Sequence, residues 1–214
     1  MGKSHLVTMI YHIVKMDPLL SSRWTPVLMN EEEHGVFSLT TLFTRILTKL
    51  ADELVKYDKE SAGMVYSFLN NLRSGGNTPD RVMENTHNFL KNYVIESGKR
   101  LLVLLENADD LFTKCMPKAN EVKQLRKILQ HDNDMLLIAT SPTFFEGIRS
   151  RKGVFYDFFR LRRLNLLTYD QAISLLRKWA EIAGDDIVRE IRPGDYRLRV
   201  LYHLTGGNPR ILLF

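Results

Sequence analysis

The stretch that most restricts this chain is residues 101–105, LLVLL, five apolar residues followed directly by Glu106, Asn107, Asp109 and Asp110. A short run that is apolar on both faces suits a central strand of a parallel sheet covered by helices on either side. Ligands of such sheets bind beyond the carboxyl ends of the strands, which is where these acids emerge. Taken alone, the same residues describe a buried strand followed by a solvated acidic turn. The neighbouring segments decide between the two.

At the start of the chain Leu6, Met9, Ile10, Ile13 and Val14 fall at helical spacing, and Asp17-Pro18 stops the pattern. The helix opens on Gly2-Lys3-Ser4. These fill the last three places of the phosphate-binding pattern G-x-x-x-x-G-K-[ST]. There, backbone amides cradle phosphates, the Lys reaches the outer ones and the hydroxyl takes magnesium. The competing reading is an ordinary N-terminus with a Gly after Met. The first glycine of the pattern and its preceding strand do not occur in the sequence, so Met1 is expected to be an internal methionine of a longer protein.

The remaining segments alternate between strand and helix. Trp24–Met29 reads as a strand, followed by the acidic residues 31–33 and Gly35 in a loop. A helix capped by Ser38 carries the apolar stripe Leu39, Leu42, Phe43, Ile46, Leu47, Leu50 and Leu54. Residues 60–78 read as an inserted short helix ending in a Ser-Gly-Gly-Asn turn. Thr78 is expected to cap a further helix with Pro79 first, burying Val82, Thr86, Phe89, Leu90, Tyr93 and Val94 before Gly98 closes it. Val122, Leu125, Ile128 and Leu129 mark another helix, and Met135–Ala139 is a second wholly apolar strand, ending at Thr140-Ser141-Pro142. Residues 160–164, RLRRL, alternate and predict a last, edge-like strand. Thr168 and Gln171 form a capping box for a helix of Ala172, Leu175, Leu176, Trp179 and Ala180 that Gly184 ends. Asp195 caps the next helix, with Leu198, Leu201 and Leu204, and Gly206-Gly207-Asn208-Pro209-Arg210 makes a turn after it.

Composition narrows the classes. At 214 residues and 44% hydrophobic content the chain can bury a substantial core. No apolar run reaches the roughly 20 residues of a membrane span, and the first residues lack the blocks of a secretory signal. A lone cysteine, Cys115, excludes an intramolecular disulfide and fits a reducing cytoplasm, and the six histidines show no zinc-ligand spacing. The net charge of +5 permits contact with nucleic acid without demanding it. The late cations include Arg149, Arg151, Lys152, Arg160, Arg162 and Arg163; a solvated basic face is the plainer reading, ahead of DNA binding.

The order Gly-Lys-Ser helix, strand, helix, acid-tipped strand, helix, Thr-Ser-tipped strand and helical tail resembles the AAA+ and STAND branch of P-loop ATPases. The likeness is to its origin-recognition-like and bacterial regulatory members. It implies a parallel sheet flanked by helices over residues 1–166, lacking the first strand, and an incomplete α-helical lid over 167–214. On that resemblance Gly2, Lys3 and Ser4 end the Walker A loop, and Ser4 and Glu106 hold Mg2+. Asn107 stands where the water-polarising acid is usual, Thr140 senses the terminal phosphate, and Pro209 and Arg210 belong to the lid. Arg149 or Arg151 is then an arginine finger or a structural cation.

The implied cofactors are ATP and Mg2+; self-association or a protein partner is left open. Asn107 cannot accept a proton, so the expected activity is nucleotide binding with slow hydrolysis. The alternative is a degenerate, non-hydrolysing nucleotide-binding module that acts as a regulatory or DNA-associated scaffold. Without the first part of the phosphate loop, the chain as it stands is expected to bind ATP weakly or not at all.

Overall fold

The computed structural model describes residues 2–30, 37–76, 78–116, 118–183 and 195–212. The chain divides into two compact units, Ser4–Arg160 and a second made of Met1–Lys3 with Leu161–Phe214.

The first unit is built on three parallel strands, β1 (Trp24–Met29), β2 (Arg100–Leu105) and β3 (Met135–Ala139), in the order β1-β2-β3. Val103 lies opposite Val27 on one side and Leu137 on the other, which makes β2 the central strand. Its five apolar residues are all buried, as two-sided covering demands. Leu101, Val103 and Leu105 face the larger core, with residues from α3 (Leu39–Leu54), α4 (Lys59–Ser74), α5 (Pro79–Ser97) and α7 (Ala119–His131). Leu102 and Leu104 face the other way, onto Val7 and Val14 of α1 (Lys3–Met16).

The connection from α1 to β1 is a short helix, α2 (Pro18–Ser21), that Asp17 starts by accepting hydrogen bonds from the Leu19 and Leu20 amides. Ser38 caps α3 in a reciprocal box with Thr41. Residues 59–74 are more than a short inserted helix. Ala62, Val65 and Leu69 of α4 are buried in the main core. Thr78 precedes α5 but makes no side-chain cap, so Pro79 at the first position starts that helix. Met83 is buried there, while the expected Val82 is only half-buried: the core-facing stripe runs one residue later at its start.

A clasp closes the two layers around β1. Glu53, near the end of α3 and 4% exposed, accepts hydrogen bonds from Tyr11 of α1 and from Lys56, and pairs with Lys15 at 2.5 Å. Burial alone would push the Glu53 carboxyl up; the hydrogen bonds from Lys15, Lys56 and Tyr11 outweigh it and hold it below the usual carboxylate value. Because the C-terminal half of α1 meets the C-terminal end of α3, the start of α1 lies at the carboxyl end of the sheet.

After β3 come α8 (Glu146–Arg149) and a run of turns around buried Phe155, which meets the rings of Phe112, Phe158 and Phe159. Gly153 is required in this knot: a Cβ there would sit 2.3 Å from the Gly147 carbonyl oxygen. The Phe155 amide donates to that same oxygen at 2.9 Å.

The predicted strand over residues 160–164 does not form. Those residues are irregular and exposed, Leu161 at 45% and Leu164 at 41%, with no strand beside them among the described residues. Alternation alone cannot make a strand without a partner edge.

In the second unit Thr168 and Gln171 make the predicted capping box at the head of α9 (Tyr169–Ala183). Ala172, Ile173 and Ala180 are its buried residues, and Trp179 is 53% exposed. Asp195 caps α10 (Tyr196–Thr205) through the Arg197 amide, and Leu204 is 80% exposed. Gly206 and Gly207 then turn into α11 (Pro209–Leu212). Gly207 has φ 71°, its carbonyl accepts from the Leu167 amide, and a Cβ on it would lie 2.3 Å from the Leu167 oxygen. Residues 31–33, Gly35 and Gly184 lie outside the described residues.

Candidate functional site at the carboxyl end of the sheet

Three backbone hydrogen bonds assemble this end. The Glu106 amide donates to Met29 at the tip of β1 (3.1 Å), Thr140 donates to Leu105 (2.9 Å), and Ala108 donates back to Thr140 (2.8 Å). Glu106, Asn107 and Thr140 are thereby brought together where β1, β2 and β3 end. Glu106 is half-buried, and its carboxylate makes no ion pair or hydrogen bond among the described residues.

Asn107 adopts the left-handed conformation, φ 56° and ψ 48°, which Asn tolerates better than most residues. Its Nδ2 donates to Asp110 Oδ2 at 3.1 Å. Asp110 in turn pairs with Lys114 at 2.5 Å, and that hydrogen bond raises the Lys114 ammonium pKa. The chain continues through a single helical turn, α6 (Ala108–Asp110), into a π turn over Leu111–Cys115. Such wide turns recur at functional sites. Buried Leu111, Phe112 and Met116 anchor it. Asp109 Oδ1 is buried without a hydrogen-bond partner among the described residues.

Ser4 is exposed in the first turn of α1, at this same end. Gly2 and Lys3 cluster with the second unit; Gly2 has φ 81°, and a Cβ on it would meet nothing within 4 Å. Pro209 opens α11, half-buried, after buried Asn208; the side chain of Arg210 lies outside the described residues. Glu106, Asn107 and Thr140 are thus gathered at the strand tips of the first unit, with no hydrogen bond to Ser4 among the described residues, whereas Pro209 and Arg210 belong to the second.

The donors at the sheet end are hard oxygens: the carboxylates of Glu106 and Asp109 and the hydroxyls of Ser4 and Thr140. Magnesium prefers such donors, and it takes one or two carboxylates together with waters and substrate phosphates. Among the described residues no group of three or more His, Cys, Asp or Glu side chains could hold a metal on its own. The Asn107–Asp110–Lys114 chain was readable as i,i+3 and i,i+4 spacings; the buried oxygen of Asp109 and the π turn had no sequence signal.

No helix among the described residues is long and apolar enough to cross a membrane. No protein-family model, curated protein or solved structure matches the chain.

Proposed function

We propose that the chain is a nucleotide-binding module of the AAA+/STAND P-loop type, with slow hydrolysis of ATP. The observation that carries this is half-buried Glu106 at the tip of the central strand, unpaired among the described residues. It stands beside Thr140 on the next strand and at the sheet end where α1 begins. In this reading Gly2 and the first amides of α1 receive phosphate, Lys3 neutralises its charge, and Ser4 and Glu106 hold magnesium. Thr140 orients the terminal phosphate; Pro209 and Arg210 respond to which nucleotide is bound. ATP supplies the phosphoryl group whose charge these residues would offset.

A second reading, binding without hydrolysis as a regulatory or DNA-associated scaffold, is favoured by the turn after β2. Asn107 is no base, and Asp110 is engaged by both Asn107 and Lys114.

Calorimetric titration with ATP, with and without magnesium, tests the assignment. Weak binding is expected, lost in Lys3→Ala, with its magnesium enhancement lost in Glu106→Gln. Binding indifferent to Lys3→Ala would overturn it. Phosphate release that Asn107→Glu accelerates supports the first reading; none in either protein supports the second.

A further inference from the structure

The knot that follows β3 presents cations that pair with no acid among the described residues. Arg149, Arg151, Lys152 and Arg160 are all exposed, and none makes an ion pair among the described residues. Two acids share the segment, Glu146 and Asp157, both exposed. The same segment exposes two aromatic rings, Phe144 at 46%, ahead of the cations, and Tyr156 at 39%, between Lys152 and Arg160 in sequence. Phe144, Glu146, Arg149 and Ser150 line an open depression of about 380 Å³.

The backbone beneath is fixed. Besides the Gly147–Gly153 approach, Arg126 donates to the Val154 carbonyl at 2.5 Å and lies 5.3 Å from the centre of the Phe158 ring. The exposed charges and rings therefore project from a preorganised surface.

We infer that this surface binds single-stranded nucleic acid, a function independent of the nucleotide site. Guanidinium and ammonium groups take the phosphates, and the exposed rings offer stacking faces to unpaired bases. An acidic peptide would use the cations but leave Phe144 and Tyr156 without planar partners. A duplex is disfavoured because the only helix in the segment, α8, has four residues and cannot enter a major groove as a reading element.

The test is fluorescence anisotropy of the whole chain with a labelled oligothymidylate, its duplex with oligoadenylate, and polyglutamate as competitor. Single-strand binding should weaken with salt, the log–log slope being about −2 if three phosphates are neutralised. The triple variant Arg149→Gln, Arg151→Gln, Lys152→Gln should lose about tenfold or more in affinity and flatten that slope. Phe144→Ala should lose about fivefold with the slope kept, as loss of one stacked base predicts. Lys123→Gln with Lys127→Gln, exposed cations of α7, should change little, and thermal melting of every variant checks the fold. The inference is overturned if no binding occurs, if the duplex binds as tightly, if polyglutamate competes as well as the oligonucleotide, or if the α7 variant loses as much as the triple one.

Discussion

Removing both cations from Glu53 should unlock the clasp between α1 and α3. The Glu53 side chain is 5% exposed, Lys15 29% and Lys56 55%. Lys56 is well solvated, so Lys56→Met alone should cost only about 0.5 kcal/mol. Lys15→Met alone should cost more, about 1–2 kcal/mol, because its partner carboxylate is buried. With both replaced, a buried carboxylate keeps only the Tyr11 hydroxyl, and the cost should reach about 3–5 kcal/mol. Glu53→Leu should cost less than that double change, since two half-exposed lysines can turn their ammonium groups to water. Adding Glu53→Leu to the double variant should recover most of the loss, apolar replacement of a buried ion pair being close to neutral.

Urea unfolding followed by Trp24 fluorescence, in a Trp179→Phe background, reads the first unit. The pH dependence has a definite sign. The folded carboxyl of Glu53 lies below its ordinary value of 4.5, so its contribution is present above that pH and is lost as pH falls through the lower folded value. Glu53→Gln should flatten that acid limb. A double-lysine variant no less stable than Glu53→Leu, or an acid limb unchanged in Glu53→Gln, would refute the clasp.

Gly153→Ala should destabilise the first unit by about 1–3 kcal/mol, because the new Cβ meets the backbone of Gly147 rather than a movable side chain. Gly63→Ala, within α4 and with nothing within 4 Å of its Cβ, should stabilise it by about 0.5–1 kcal/mol in the same urea assay. Asn107→Ala should be less stable than Asn107→Gly by about 1 kcal/mol, since both lose the bond to Asp110 but only Ala is strained at φ 56°. Equal stabilities there would mean that the turn can relax out of the left-handed conformation.

What the sequence revealed was local. The apolar runs over β1, β2 and β3 sit where the strands are; in β2 the run reflects burial on both faces, whereas in β3 the same composition goes with half-covered side chains. Ser38, Thr168 with Gln171, and Asp195 cap as their spacing requires, a cap being decided within a turn. The alternating residues 160–164 misled because pattern reports which side of a strand is apolar, not whether a neighbour exists to pair with it. Helical spacing likewise marks only a stripe, and packing decides which of its residues are covered, as exposed Trp179 and Leu204 show. At the candidate site the acids were legible by type, whereas the left-handed Asn107 and the bond from Ala108 to Thr140 depend on strands about 30 residues apart meeting side by side. The clasp joins Tyr11 to Glu53 across 42 positions and leaves no periodic trace.

β3 carries the composition of an interior strand, yet all five of its residues are half-buried or exposed, with Leu136 at 47%. Thr140 bonds inward to the tip of β2, so by the pleat the amides of Leu136 and Ile138 also point to β2, and those of Met135, Leu137 and Ala139 point away. Among the described residues nothing meets that outward row. The sheet is consequently open to growth on one side only. β1, at the opposite edge, carries Pro26, which lacks an amide hydrogen, and is straddled by the clasp. A fourth strand laid against β3 would pair with that outward row of amides and carbonyls. The same row left bare is a template for association between molecules at high concentration.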